Sequence, residues 1–194
     1  MGARPTKATK RGASRYVALL RGINVGGNNL IKMQDLKACF EGAGLEDVAT
    51  YIASGNVLFT SNETNRATLT RRIEQALATT FDYRACVVLR SGKDMRSTVD
   101  HAPAGFGRQP DKYRYDVVFL KEPLSAAAAM KNVTTRDGVD RAYAGNGVLY
   151  FSRLTSRASQ SHLGRLASTP VYQSMTIRNW NTTTKLLGLM ERAR

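Results

Sequence analysis

Histidine, cysteine and tryptophan are scarce in this chain of 194 residues: it has two histidines, two cysteines and a single tryptophan. His101 and His162 are too few for the spacings of a zinc site, and neither stands in a nucleophile or metalloprotease motif. No metal site and no cofactor are expected, and the sequence names no catalytic residues. Cys39 and Cys86 form no CxxC or Cys/His cluster, so both read as reduced core thiols of a cytoplasmic protein. Long apolar runs are missing too. The longest, such as Ala126 to Met130 and Val117 to Leu120, fall far short of the roughly 20 residues that cross a bilayer. No membrane partner is expected, and Met1 to Arg15 lacks the apolar stretch of a secretory signal.

Acidic residues are the next scarcity. Fifteen Asp and Glu face 29 Lys and Arg, for a formal charge of +14 and a pI near 10.2. No acid precedes Asp35, and none lies between Asp140 and Glu191, where Arg153, Arg157, Arg165, Arg178 and Lys185 stand. So basic a chain attracts a phosphate-bearing small molecule or nucleic acid; the plainer reading is a basic surface with no dedicated partner.

The hydrophobic pattern divides the chain into two similar successions. In the first, Tyr16 to Leu20 reads as a strand feeding the Gly/Asn-rich loop Gly22 to Asn29, and Met33, Leu36 and Phe40 recur at helical spacing. Strands follow at Val48 to Ala53 and Asn56 to Thr60, joined by a tight Ser54-Gly55 turn, then a helix over Thr64 to Thr80 and a strand over Arg84 to Arg90. The second succession has a strand at Tyr115 to Lys121, a short helix at Leu124 to Lys131, and strands Val139 to Ala144 and Val148 to Ser152 around Gly145-Asn146-Gly147. A helix at Ser159 to Ala167, a strand at Val171 to Ile177 and a helix after Asn179 complete it. The order is βαββαβ twice, a tandem ferredoxin-like α+β fold. Expected boundaries are a disordered basic tail over 1–14, a first half over 15–91, a connecting helix and loop over 92–114, and a second half with a C-terminal helix over 115–194.

In such a module the loop after the first strand and the turn between the second and third strands leave the sheet at one end. Arg21 to Asn29 is therefore expected beside Ser54-Gly55-Asn56. Gly26, Gly27 and their asparagine neighbours Asn24 and Asn28 free the backbone to present N–H groups to an anion, and Arg21 adds a planar cationic fork. The stretch is neither a phosphate-binding P-loop nor a dinucleotide fingerprint, and a left-handed loop that merely turns the chain fits it as well. A second cluster, Arg178 to Asn181, brings an arginine, amides and Trp180 to a strand-helix junction. Recognition of a polar ring and simple capping with Trp180 in the core both fit it. RNA-recognition strand signatures are absent: Tyr16 to Leu20 is a loose match and Asn56 to Thr60 lacks the basic-Gly-aromatic start, so standard base stacking on the sheet is not expected.

Three stretches, Tyr16 to Gly27 (YVALLRGINVGG), Thr50 to Val57 (TYIASGNV) and Thr176 to Thr182 (TIRNWNT), resemble the signatures of the bacterial family called domain of unknown function 1697. The resemblance implies a tandem ferredoxin-like fold in a bacterial cytosolic protein, and it carries over no catalytic residues. The expected ligand site comprises Arg21, Asn24, Gly26, Gly27, Asn28, Ser54, Asn56, Arg178 and Asn181. The expected function is binding of a phosphate-bearing ligand or nucleic acid there. An enzyme acting on a small anionic or nucleotide-like substrate and a protein-protein interaction module are the alternatives. The sequence leaves the oligomeric state open.

Overall fold

A computed structural model describes residues 12–24 and 30–192 of the chain. Its strands are β1 (Ser14–Leu20), β2 (Glu46–Tyr51), β3 (Asn56–Ser61), β4 (Val87–Ser91), β5 (Tyr113–Leu120), β6 (Asp140–Ala144), β7 (Val148–Leu154) and β8 (Met175–Asn179). Its helices are α1 (Met33–Gly42), α2 (Arg66–Phe81), α3 (Gly92–Asp100), α4 (Ala126–Met130), α5 (Leu163–Leu166) and α6 (Trp180–Arg192). The strands form two four-stranded antiparallel sheets, ordered β2-β3-β1-β4 and β6-β7-β5-β8. No helix among the described residues is long and apolar enough to cross a membrane.

Strand alternation sorts the apolar side chains into three cores. Tyr16, Ala18 and Leu20 of β1 face outward onto Leu36 and Phe40 of α1 and Leu69, Ile73 and Leu77 of α2. Val17 and Leu19 point the other way, into a central layer shared with Val117, Phe119 and Tyr150 of the second sheet. Met95 of α3 and Leu186, Leu187 and Met190 of α6 fill the same layer. Val118, Leu120, Leu149 and Phe151 meet α4, α5 and Met175 on the far side. Both central strands are therefore apolar on both faces, which explains their continuous rather than alternating hydrophobicity.

Local chemistry sets the helix ends. Asn65 accepts from Thr68 N to start α2, Ser91 and Asp94 form a reciprocal capping box on α3, and Asn179 accepts from Thr182 N at 2.7 Å to start α6. Several boundaries differ from expectation. Ser14, assigned to the tail, opens β1 and pairs with Ser61, while most of that tail, 1–11, lies outside the described residues. β2 stops at Tyr51, and Ile52 turns left-handed at φ 49°, because Asn56 Nδ2 holds Tyr51 O and Ser54 Oγ across the turn. The helix expected over 159–167 is split into a 3₁₀ turn (Thr155–Gln160) and α5. Between them Asp140 Oδ2 accepts from His162 N at 2.8 Å and anchors the chain. Pro170 begins a second 3₁₀ turn (Pro170–Ser174), so the last strand starts at Met175 rather than Val171.

One pair of side chains joins the sheets. Arg90 and Arg178 occupy matching positions, opposite Val17 on β4 and opposite Val117 on β8. Arg90 donates to Leu120 O at 2.8 Å and Gly147 O at 2.6 Å, where β5 ends and the β6–β7 turn begins to return. Arg178 donates to Leu20 O at 2.8 Å, Ser54 O at 2.9 Å and Gly55 O at 3.2 Å, the corresponding atoms of the first half. The glycines at both turns have φ near +70°, Gly55 at 70° and Gly147 at 68°. At Gly55 an added Cβ would also stand 3.0 Å from Leu20 Cβ.

Replacing Arg178 with alanine is expected to lower unfolding free energy by about 3–5 kcal/mol, because buried carbonyls lose their donors. Arg178→Lys should recover little of the loss, since one ammonium cannot span the same acceptors. Urea titration checks both, and an Arg178→Ala loss under about 1 kcal/mol would show that the sheets hold together without this clasp.

Candidate functional site

The end of the molecule that gathers the expected site residues is built from the end of β1, the β2–β3 turn and the start of the 24–31 segment. Leu20 N donates to Gly55 O at 2.8 Å, which brings the chain leaving β1 against the turn. Asn24 then takes a left-handed conformation at φ 53°. Its Nδ2 donates to Ile31 O and to Ala53 O, each at 3.0 Å, and its Oδ1 accepts from Ile31 N at 2.8 Å. One asparagine thus ties position 24 to Ile31 and to the turn at Ala53. Asparagine suits this role because it tolerates the left-handed region and carries both a donor and an acceptor. Gly26, Gly27 and Asn28 lie outside the described residues.

Asn56 is fully buried. Its Nδ2 bonds Tyr51 O and Ser54 Oγ, and its Oδ1 accepts from Arg178 Nε at 2.5 Å. Arg178 also donates to Thr176 Oγ1 and Ile177 O, so all its hydrogen-bond partners are neutral groups of the protein itself. Burial draws its pKa down to about 10, which leaves it charged at neutral pH. The segments around Arg21 and Arg178 therefore meet in space. Asn181, by contrast, is exposed on the first turn of α6, where its carbonyl accepts from Thr184 Oγ1. Asn179 caps that helix, and Trp180 packs edge-on against Phe106 at 5.1 Å between ring centroids.

Arg21 stands apart from the other polar residues of the set. Its Nη1 donates to Tyr172 O at 2.9 Å and its guanidinium lies 5.4 Å from the centroid of the Tyr172 ring, but it pairs with no carboxylate among the described residues. Tyr83 OH donates to Arg21 O. Burial raises the Tyr83 pKa, with Arg21 opposing; burial likewise pushes the Cys86 thiol up, opposed by Lys121 and Arg21. Lys121 is neutralised by Glu74 at 2.5 Å. Tyr83, Tyr172 and Lys121 gave no signal in the sequence, because each reaches this end from a different element. Neither histidine lies here: His101 ends α3 beside Ser97, and His162 precedes α5 next to Asp140.

The family model described as protein of unknown function (DUF1697) matches residues 13–150. That span contains the first two signature stretches and ends before the third. A solved structure of a conserved bacterial protein from Streptococcus pneumoniae is similar at 29% identity and a TM-score of 0.80, covering 92% of this chain and 99% of that one. No curated protein matches.

The Asn24 clamp yields a stability prediction. Asn24→Ala should cost about 2–3 kcal/mol, combining lost hydrogen bonds with a side chain forced into the left-handed region, and Asn24→Gly should cost less because glycine accepts that backbone. Equal losses in urea titrations of the two variants would show that the backbone conformation is not part of the penalty.

Proposed function

We propose a function from geometry, since the chain belongs to the DUF1697 family, whose members are proteins of unknown function: it is a cytosolic protein that binds a phosphate-bearing ligand through Arg21. The observation that carries this reading is the state of that guanidinium. It is partly exposed, steadied from below by the Tyr172 ring and carbonyl, and free of any carboxylate partner among the described residues. Among the described residues its Nη2 and Nε have no hydrogen-bond acceptor, and they form a fork for phosphate oxygens. The buried Arg178 charge nearby adds positive potential that no acid in contact with it offsets.

The same geometry favours binding over catalysis. The enzymatic alternative requires the Asn24 and Asn56 amides to orient a substrate, and both are engaged with the protein's own backbone and side chains. No histidine stands beside Arg21 to serve as a general base. The two sheet orders, each with outer crossover segments, support reading the halves as tandem ferredoxin-like units whose first member carries this site.

Thermal-shift measurement against nucleotides, inorganic phosphate and polyphosphate tests the reading. A ligand present at about 100 times its Kd should stabilise the protein by about 2.7 kcal/mol, and Arg21→Ala should abolish the shift. Absence of a shift with every phosphate compound, or an unchanged shift in Arg21→Ala, would sink it.

A further inference from the structure

The open part of the second sheet's inner face carries a different kind of surface. Tyr113 and Tyr115 alternate along β5, Arg141 and Tyr143 along β6, and Ser152 sits on β7 between them. Register places Tyr115 opposite Ser152 and Ser152 opposite Arg141, one row across three strands. The next row runs Val117, Tyr150, Tyr143. Neighbouring strands are about 4.8 Å apart, so Tyr115 and Arg141 flank the small serine at a separation of about 10 Å. The result is a cleft of about 310 Å³, walled on one side by the loop through Gly105, Phe106 and Gln109. Lys112 and Arg141 are the charged side chains lining it, and no carboxylate does.

Its aromatic rings are held in place from behind. Phe106 meets Tyr115, Tyr150 and Trp180 edge-on, with centroids at 4.8, 5.3 and 5.1 Å. Gly107 makes this possible, since a Cβ there would stand 2.2 Å from Trp180 Nε1. Tyr113 lies 6.1 Å from Tyr115 and has Lys112 Nζ 5.4 Å from its ring centroid. Tyr143 is 41% exposed, one of three large apolar or aromatic side chains so open among the described residues.

The fold does not require these residues. Val17 and Val117 are matched by the arginines opposite them, so the row equivalent to Tyr115, Ser152 and Arg141 in the first half is Arg15, Thr60 and Glu46. The architecture closes there without an aromatic side chain. Tyr115 is braced by Phe106, but Tyr143, Tyr113 and the two cations gathered on one half alone need a reason other than packing.

We propose that this face binds single-stranded nucleic acid, with bases stacking on Tyr113, Tyr115 and Tyr143 and with Lys112 and Arg141 meeting the phosphates. Exposed aromatic rings on a sheet offer stacking that a duplex, whose bases are already stacked, does not use. Planar Arg141 suits both phosphate and base. The chain's charge of +14 supplies long-range attraction, so affinity for nucleic acid alone is no proof of this site. Dependence on the rings is the distinguishing property. The site is separate from Arg21 and does not rest on the phosphate-ligand reading.

Fluorescence anisotropy with labelled 12-nucleotide RNA and DNA single strands and a matching duplex, using the full chain over a range of salt, tests the proposal. Tyr143→Ala and Tyr113→Leu should each weaken single-strand binding roughly tenfold, and Tyr143→Phe should leave it unchanged. Arg141→Ala should reduce the slope of log affinity against log salt by about 0.7, the share of one phosphate contact. Thermal melts identify any variant that fails to fold, and ultraviolet crosslinking of a 4-thiouridine strand to the wild-type protein gives an independent readout, expected at Tyr113, Tyr115 or Tyr143. Binding unaffected by both tyrosine substitutions, duplex bound as tightly as single strand, crosslinks elsewhere only, or no binding at low salt would each overturn it.

Discussion

Two buried guanidiniums hold this molecule together. Arg90 and Arg178 are 4% and 8% exposed, and each crosses the central layer to the sheet of the other half. Burying a charge without a counter-ion is expensive, and the lowering of both pKa values to about 10 by desolvation reflects that cost. What offsets it is geometry. The planar fork donates to carbonyl oxygens at a strand end and a tight turn, where Gly55 O and Gly147 O also accept from Leu20 N and Leu120 N. Because the two arginines are reciprocal, each half completes the other, and the central core between Val17, Leu19, Val117 and Phe119 closes around them.

The same constraint explains why so many polar residues of the signature stretches are inward-facing. Asn56 exists in its buried position as the acceptor for Arg178 Nε and as the brace of the β2–β3 turn. Asn24 fastens the chain leaving β1 to that turn. Once these amides are engaged, the cations able to meet a ligand are those left at the surface, and some of them line two settings. Arg21 rests on the Tyr172 ring at the end of the first sheet. Arg141 and Lys112 line a cleft with Tyr113, Tyr115 and Tyr143 on the second sheet. The two halves share a backbone plan and differ in which side chains occupy one row of it.

Much of the secondary structure was legible because periodicity reports burial. β1, β3, β5 and β7 read correctly within a residue or two, since their side chains face packed layers, and α2 announced itself through Leu69, Ile73 and Leu77 at intervals of four. The stretch from 155 to 174 did not, because its 3₁₀ turns and the short α5 are shaped by Asp140 and Pro170 rather than by a repeating apolar face. Tyr113 falls in the expected connecting segment, and the meaning of Tyr115, Arg141 and Tyr143 depends on register. Only the strand pairing sets Tyr115, Ser152 and Arg141 in one row and Tyr143 in the next.

By itself, the amino-acid sequence determined the class of fold, the two successive β-rich halves, the strong positive charge and the nearness of Arg21 to the Ser54-Gly55 turn. Those properties follow from local periodicity, composition and the short connections between successive elements. Tertiary structure alone decided which arginines are structural and which face solvent. Arg21, Arg90, Arg141 and Arg178 are chemically identical, and only the three-dimensional placement of carbonyls around each guanidinium determines whether its donors are already taken.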